Sequence, residues 1–505
     1  MTPLLSAQSS ATRTRQQRRW DDGIPPILRP LVRAYLLGYA SAVAPRLLIV
    51  LLQHATCRRH EMKTKHASHD AQEPEQQPPL EPFLASLQRV LWGGLDLQRF
   101  PTFCAAIVGG STLLKVPVKA AFDRLARSLS DIARERLSRW VASFIAAWLS
   151  LRLLQFKKTA SFTETDPAET SDRGPSSTQK TIRYAGRTLD LTLFAATRAL
   201  DVVVGELWFR RKLRRQAAHK PWTAVEKAVS RLVDPAMFAL SSGVIMWTWI
   251  YKPSRLPRSY NKWIGSAAAV DGRLIEALRR CRNSEIRYGR DTGQAPLLGA
   301  MCVDFGWPKE WGDPAKSVPF PCELVHMGCG PSCEVHAVSR FMRSFRWAMA
   351  TYLPLNLLLA VRNPSLNGLQ RALISALRSS AFLGSFIALF YYGVCLARTR
   401  LGPHGVGTDP AARQTIDGGL CIGTGCFLCG WSVLIENARR RKDMALFVAP
   451  RALATFFPRR YQLDKQWRET VVFAASTAVV FTCVQENKAR VRGVLGNVLS
   501  TVLNP

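Results

Sequence analysis

The chain has 505 residues, with 69 Lys and Arg against 36 Asp and Glu, a formal charge of +33 and a pI near 10.4. The charge invites a nucleic-acid reading, which the distribution of the residues excludes. No nucleic-acid-binding motif is present, and the basic residues cluster at the ends of apolar blocks, as in CRRH at 57–60, RRKLRR at 210–215 and RRRK at 439–442. Multi-pass membrane proteins place Lys and Arg in this way, at the headgroup level. Twelve cysteines in this length are no disulfide scaffold. Several (Cys104, Cys395, Cys426, Cys429, Cys483) lie in apolar segments, where a thiol behaves as a small hydrophobe.

Residues 1–27 read as a disordered basic tail, rich in Ser, Thr and Arg and lacking the apolar region of a secretory signal. Residues 28–252 form an N-terminal helical half. Its clearest apolar run is 235–251, and weaker ones lie at 34–56 (interrupted by Pro45 and Arg46), 100–114, 140–156 and 188–209. The polar stretches 57–85 and 157–187 are expected to be disordered loops. Within the first, HEMKTKH places His60 and His66 six apart, so they cannot share a helix face as a zinc-protease pair does. Residues 253–338 make a central polar segment: SRLPRSYNKWI, a helix over 268–286, a Pro- and Trp-rich coil, then a Cys/His motif. A C-terminal half at 339–490 carries apolar runs at 347–361, 379–397, 418–434 and 471–484, and 491–505 is a tail. A spanning helix needs about 17–25 apolar residues, and snorkelling Lys and Arg extend shorter runs. The expected fold is therefore all-α: a polytopic helical membrane protein with two related halves joined by the polar cysteine-containing segment. A soluble protein with buried core helices is the alternative, disfavoured because the blocks are apolar all round.

Small residues recur every fourth position: Ala142, Ala146 and Ser150; Ser380, Gly384 and Ala388; Gly419 and Gly423; Thr470, Ala474, Ala478 and Thr482. Each set is a smooth ridge on one helix face, through which helices pack closely in lipid. An internal repeat pairs LFAATRAL at 193–200 with LFVAPRAL at 446–453, and FALSSGVI at 238–245 with FAASTAVV at 473–480, in the same order. The repeated RAL carries Arg198 and Arg451, charges within mostly apolar segments. Asp190 or Asp201 is a candidate partner for Arg198, and Asp443 for Arg451. Interfacial helices with snorkelling arginines are the other reading.

The motif PCELVHMGCGPSCEVH at 321–336 holds Cys322, His326, Cys329, Cys333 and His336. Cys322 with His326, and Cys333 with His336, can each offer two ligands from one helical turn. Gly328, Gly330 and Pro331 break the helix between them, so the pairs can fold together into a four-ligand zinc site. A Cys322–Cys333 disulfide and a structural neck that binds nothing stay open beside that reading. Ser332 is placed to cap the following helix. Cys426 and Cys429 form a C-x-x-C inside an apolar block and read as packing. No Gly-rich phosphate loop, G-x-S-x-G or Ser/His/Asp arrangement is present, so no catalytic residue and no cofactor other than zinc is expected.

The stretches PCELVHMGCGPSC, RFMRSF and SSAFLGSFIALFYYGVC, with SRLPRSYNKWI and LFVAPRAL, resemble the transmembrane protein 135 family, especially its fungal members. The resemblance covers most of 250–490 and, through the repeat, parts of 30–250. Cys322, His326 and Cys333 match the family's cysteine-rich motif; Cys329 and His336 stand outside it. The helical halves are similar in turn to the superfamily of mitochondrial inner-membrane translocases and the 24-kDa peroxisomal membrane protein. The resemblance implies a non-enzymatic protein of mitochondrial or peroxisomal membranes, tied to membrane organisation and to lipid or sterol distribution. Its partners would be the bilayer, membrane proteins or a second copy of itself, and not nucleic acid. Two rival readings remain: a transporter with Arg198 and Arg451 lining a path between the repeats, and a metal-dependent membrane enzyme built on the Cys/His motif.

Overall fold

The computed structural model describes residues 21, 23–65, 83–157, 162–165, 181–361, 365–487 and 490–503. Residues 1–20 and 22 of the tail expected at 1–27, and residues 66–82, 158–161 and 166–180 of the expected loops, lie outside these. The fold is all-α and polytopic. In chain order the helices are α1 (Arg29–Lys65), α2 (Phe83–Gly94), α3 (Phe100–Leu125), α4 (Asp131–Gln155), α5 (Leu189–Ala217), α6 (Ala224–Tyr251), α7 (Arg258–Ala268), α8 (Gly272–Arg282), α9 (Ala295–Asp304), α10 (Cys322–His326), α11 (Cys333–Val361), α12 (Leu366–Leu396), α13 (Gly402–Gly405), α14 (Pro410–Thr415), α15 (Cys421–Cys429), α16 (Ala438–Ala454), α17 (Gln466–Glu486) and α18 (Gly493–Leu503). A small antiparallel sheet joins β1 (Thr163–Thr165), β2 (Thr181–Ala185) and β3 (Tyr461–Gln462), with Thr163 opposite Arg183 and Tyr184 opposite Gln462.

Six helices among the described residues are long and apolar enough to cross a membrane: Phe100–Leu125, Asp131–Gln155, Ala224–Tyr251, Leu366–Gly405, Pro410–Ile435 and Leu463–Glu486. The runs at 34–56, 188–209 and 347–361 are helical but are not among them. Pro45 and Arg46 interrupt the first, Arg198, Asp201 and Glu206 the second, and Pro354 and Asn356 the third. Several other expectations also differ. Residues 57–65 continue α1 rather than forming a loop, 83–85 open α2, and parts of 157–187 form β1 and β2. The helix expected over 268–286 is shorter, α8 at 272–282: Ala269 takes a left-handed conformation (φ 46°) after α7, and Asp271 caps α8 by accepting from Arg273 N–H at 2.8 Å. The segment 491–505 is not a bare tail: it contains α18.

The chain divides into two compact units, and the division falls at 157/158 rather than at 252/253. The first unit is Met1–Lys157 with Val484–Glu486 and Asn497–Pro505. In it α3 packs on α1 and α4, and the Ala142, Ala146 and Ser150 ridge of α4 is buried. The second unit is Lys158–Cys483 with Asn487–Gly496. Here α6 packs on α15 and α16, α12 on α11 and α15, and α5 on α16. These contacts hold α5 and α6 in the same core as the C-terminal helices, which is why the boundary lies earlier. The core is built from Phe238, Ile245, Trp249, Phe382, Ile387 and Phe390 with their neighbours. The repeated LFAATRAL and LFVAPRAL segments lie on α5 and α16, which pack on each other.

Of the expected ridges, Ser380 and Gly384 of α12 are buried, and a Cβ on Gly384 would meet the Phe341 ring at 3.0 Å. Ala388 is half-buried. Thr470, Ala474 and Ala478 of α17 are fully buried. Gly419 and Gly423 do not form a backbone contact ridge. Gly419 leaves helical geometry (φ 163°), and both glycines face the Trp247 ring instead. The close backbone approach lies one face over. A Cβ on Gly393 would sit 2.8 Å from the Gly425 Cα, and one on Gly425 would sit 2.7 Å from the Phe390 carbonyl oxygen. That approach locks α12 against α15 and fixes the end of α12, which carries the site.

Candidate metal centre

Three local features set the site. The five-residue helix α10 ends where Met327 (φ 49°) and Gly328 (φ 85°) turn left-handed, and Gly330 (φ 87°) completes the reversal. Glycine adopts such a backbone without a Cβ penalty. The turn returns the Gly330 carbonyl to within 2.7 Å of His326 Nδ1. With Nδ1–H donating there, Nε2 is the free ligand atom. Ser332 Oγ accepts from Val335 N–H at 3.3 Å and starts α11, which places Cys333 in its first turn. The fourth residue comes from elsewhere: Cys395, fully buried near the end of α12.

The side-chain atoms of Cys322, His326, Cys333 and Cys395 all lie within 4.8 Å of one another, a group that could hold a metal ion. Cys322 Sγ is 3.8 Å from Cys333 Sγ and 3.8 Å from Cys395 Sγ, and Cys395 Sγ is 3.5 Å from His326 Nε2. A tetrahedral ion with bonds of about 2.3 Å to sulfur and about 2.05 Å to nitrogen requires edges of about 3.8 Å and about 3.5 Å. These three edges match those lengths, and the others are no longer than 4.8 Å. A disulfide needs a separation of about 2.05 Å, and Cys322 and Cys333 are free thiols.

The surroundings favour the thiolate of Cys322, while burial and then that neighbouring charge push Cys333 up to about 11. The buried guanidinium of Arg398, which follows Cys395 by one helical turn, is held by Asp417 at 2.7 and 3.0 Å and by the Phe320 carbonyl at 2.8 Å. Tyr288 donates its hydroxyl at 2.5 Å to Asp417 Oδ2, which also accepts from Arg398. The Cys395 thiol bonded to it, then His326 and the Arg398 charge, hold Cys322 well below the usual thiol range. Burial pulls His326 down, but the Cys322 thiolate and the Gly330 carbonyl more than offset it, so its net shift is upward.

His336 is not a member of the group. It is fully buried behind the cluster, with its ring stacked on that of His326 at 4.6 Å and edge-on to Tyr391 at 5.3 Å. Neither of its ring nitrogens has a hydrogen-bond partner. Burial, then the charges of Arg340 and His326, push its pKa down to about 3, so it is a neutral packing group. Cys395 takes its place. Sequence spacing could not show this, because Cys395 lies far from the motif in an apolar run. Its one signal is a cysteine a single turn before Arg398. Cys329 reaches Ser339 instead, at 3.5 Å. Cys426 and Cys429 are buried in the core.

The two repeat arginines occupy unlike surroundings. Arg198 is buried and reaches the Arg492 carbonyl at 3.4 Å, near Asp201 and Asp443. Asp201 is itself paired with Arg492, and Asp190 pairs with Arg459 at 3.0 Å rather than with Arg198. Arg451 lies over the Phe447 ring at 3.7 Å and donates to the Phe447 carbonyl at 2.6 Å, away from Asp443.

Fold and site together define the class: a multi-pass helical integral membrane protein with a Cys/His cluster closed by the end of a span. No family model, no curated protein and no solved structure matches the chain.

Proposed function

We propose that the chain is a non-enzymatic multi-pass protein of a mitochondrial or peroxisomal membrane, acting in the organisation of that membrane or the distribution of its lipid or sterol. In this reading Cys322, His326, Cys333 and Cys395 hold a structural zinc. The observation that carries it is the four-ligand set, three of whose edges have tetrahedral length. Structural zinc sites are closed by four protein ligands, whereas catalytic ones keep an open position for water or substrate. Thiolate-rich tetrahedral sites select zinc over hard cations. Bound there, zinc would staple the central segment and the start of α11 to the end of α12. The organelle and the lipid role rest on the resemblance to the transmembrane protein 135 family, and an apolar cavity between the helices of the second unit supports the lipid part.

The test is fractionation of the tagged full chain with alkaline carbonate extraction, followed by elemental analysis of the purified protein. The expected result is a carbonate-resistant pellet in the mitochondrial or peroxisomal fraction and about one zinc per chain. Release into the supernatant would remove the membrane reading. Zinc near zero in folded protein would remove the staple.

A further inference from the structure

The second unit contains a cavity of about 410 Å³. Its walls are Phe238, Ile245 and Met246 of α6, Phe382 and Phe386 of α12, and Met444 of α16, with α7 along one side. Two of these helices, α6 and α12, belong to membrane-crossing segments. Methionine and aromatic side chains adapt to the shape of a flexible apolar guest. The mouth is marked by Trp263 of α7 and Phe447 of α16, which line the cavity and are 45% and 54% exposed.

Arg451 stands beside this mouth. Arg451 lies over Phe447, and its charge acts on the hydroxyl of Tyr260, another lining residue. Its one hydrogen bond, to the Phe447 carbonyl, uses Nη1; the charge of Asp190 acts on it, but Asp190 is paired with Arg459, and no carboxylate among the described residues forms an ion pair with Arg451. Tyr260 and Trp263 stack at 6.0 Å, and Trp263 meets Trp347 at 6.4 Å. Trp and Tyr gather at the membrane–water boundary, where a lipid head group resides. The sequence singled out Arg451 as a charge in an apolar setting; this position gives it a use.

We propose that this cavity binds the chain of a long-chain fatty acid, with the carboxylate on Arg451. The fork of Arg matches a carboxylate, bidentate, better than it matches a neutral head. The size suits one chain: at about 410 Å³ the cavity lies within the range of small-ligand pockets, about 300–1,000 Å³. The proposal deepens the lipid-handling reading and rests on it.

The experiment uses the purified full chain in neutral detergent, a photoactivatable oleate and mapping of the crosslinked peptides. Crosslinks are expected on α6, α7 and α12. Arg451→Gln is expected to weaken oleate about tenfold or more, the effect of losing a charge-assisted bond, while leaving oleyl alcohol unchanged. Ala267→Phe, which fills the cavity from α7, is expected to remove both. Oleate binding that ignores both substitutions overturns the proposal, as does stronger competition by phosphatidic acid than by unlabelled oleate. Zinc content and carbonate resistance are measured on the same preparation. A protein that keeps both but binds no oleate refutes the cavity assignment alone; one that loses both refutes the broader reading.

Discussion

Cys395→Ser is expected to lower bound zinc from about one per chain to near zero, while His336→Phe leaves it unchanged. Serine keeps the shape but not the chemistry, since a thiol ionises at the site and a hydroxyl does not. Cys395 is bonded to both Cys322 and His326, so its loss removes the ligand that ties α12 to the motif. Structural zinc is worth about 10–16 kcal/mol in small domains, and that stabilisation is inseparable from folding. The segment 318–333 is then expected to become open to limited proteolysis. His336 only stacks behind the ring of His326, a role that phenylalanine fills. Zinc loss in His336→Phe with retention in Cys395→Ser would restore the ligand set that spacing alone suggests. Elemental analysis of the two purified variants decides between them.

Asp417→Asn is expected to cost about 3–5 kcal/mol, read as a lowered thermal midpoint of the detergent-solubilised protein. Arg398 and Asp417 are 7% and 4% exposed, and their two hydrogen bonds are the main compensation for burying a guanidinium. Removing the carboxylate leaves that charge without its partner, and the Phe320 carbonyl cannot replace it. The double variant Arg398→Met with Asp417→Leu is expected to be less damaging, because replacing both charges leaves none unpaired. Equal midpoints for wild type and Asp417→Asn would show that the ion pair does not stabilise the fold.

Much of the architecture is legible in the sequence because a membrane helix is a local statement. Uncharged runs at 235–251, 379–397, 418–434 and 471–484 each fall on a helix that meets the length and apolarity of a span. The division of the chain was not legible, because it depends on α5 and α6 packing with distant helices, which no periodicity encodes. The same limit applies to the site. Cys322, His326 and Cys333 are grouped by spacing and by the glycines of the turn. Cys395 and the Arg398–Asp417 pair arrive only when α12 docks, and His336, well spaced on paper, is turned behind the imidazole. Gly419 and Gly423 show a related failure: a helical ridge was read through a point where the backbone leaves the helix.

The most direct measurement is zinc K-edge X-ray absorption on the purified full chain. One first shell of three sulfurs near 2.3 Å and one nitrogen near 2.0 Å is expected. A shell with two or more nitrogens, or with light oxygen ligands, would contradict it.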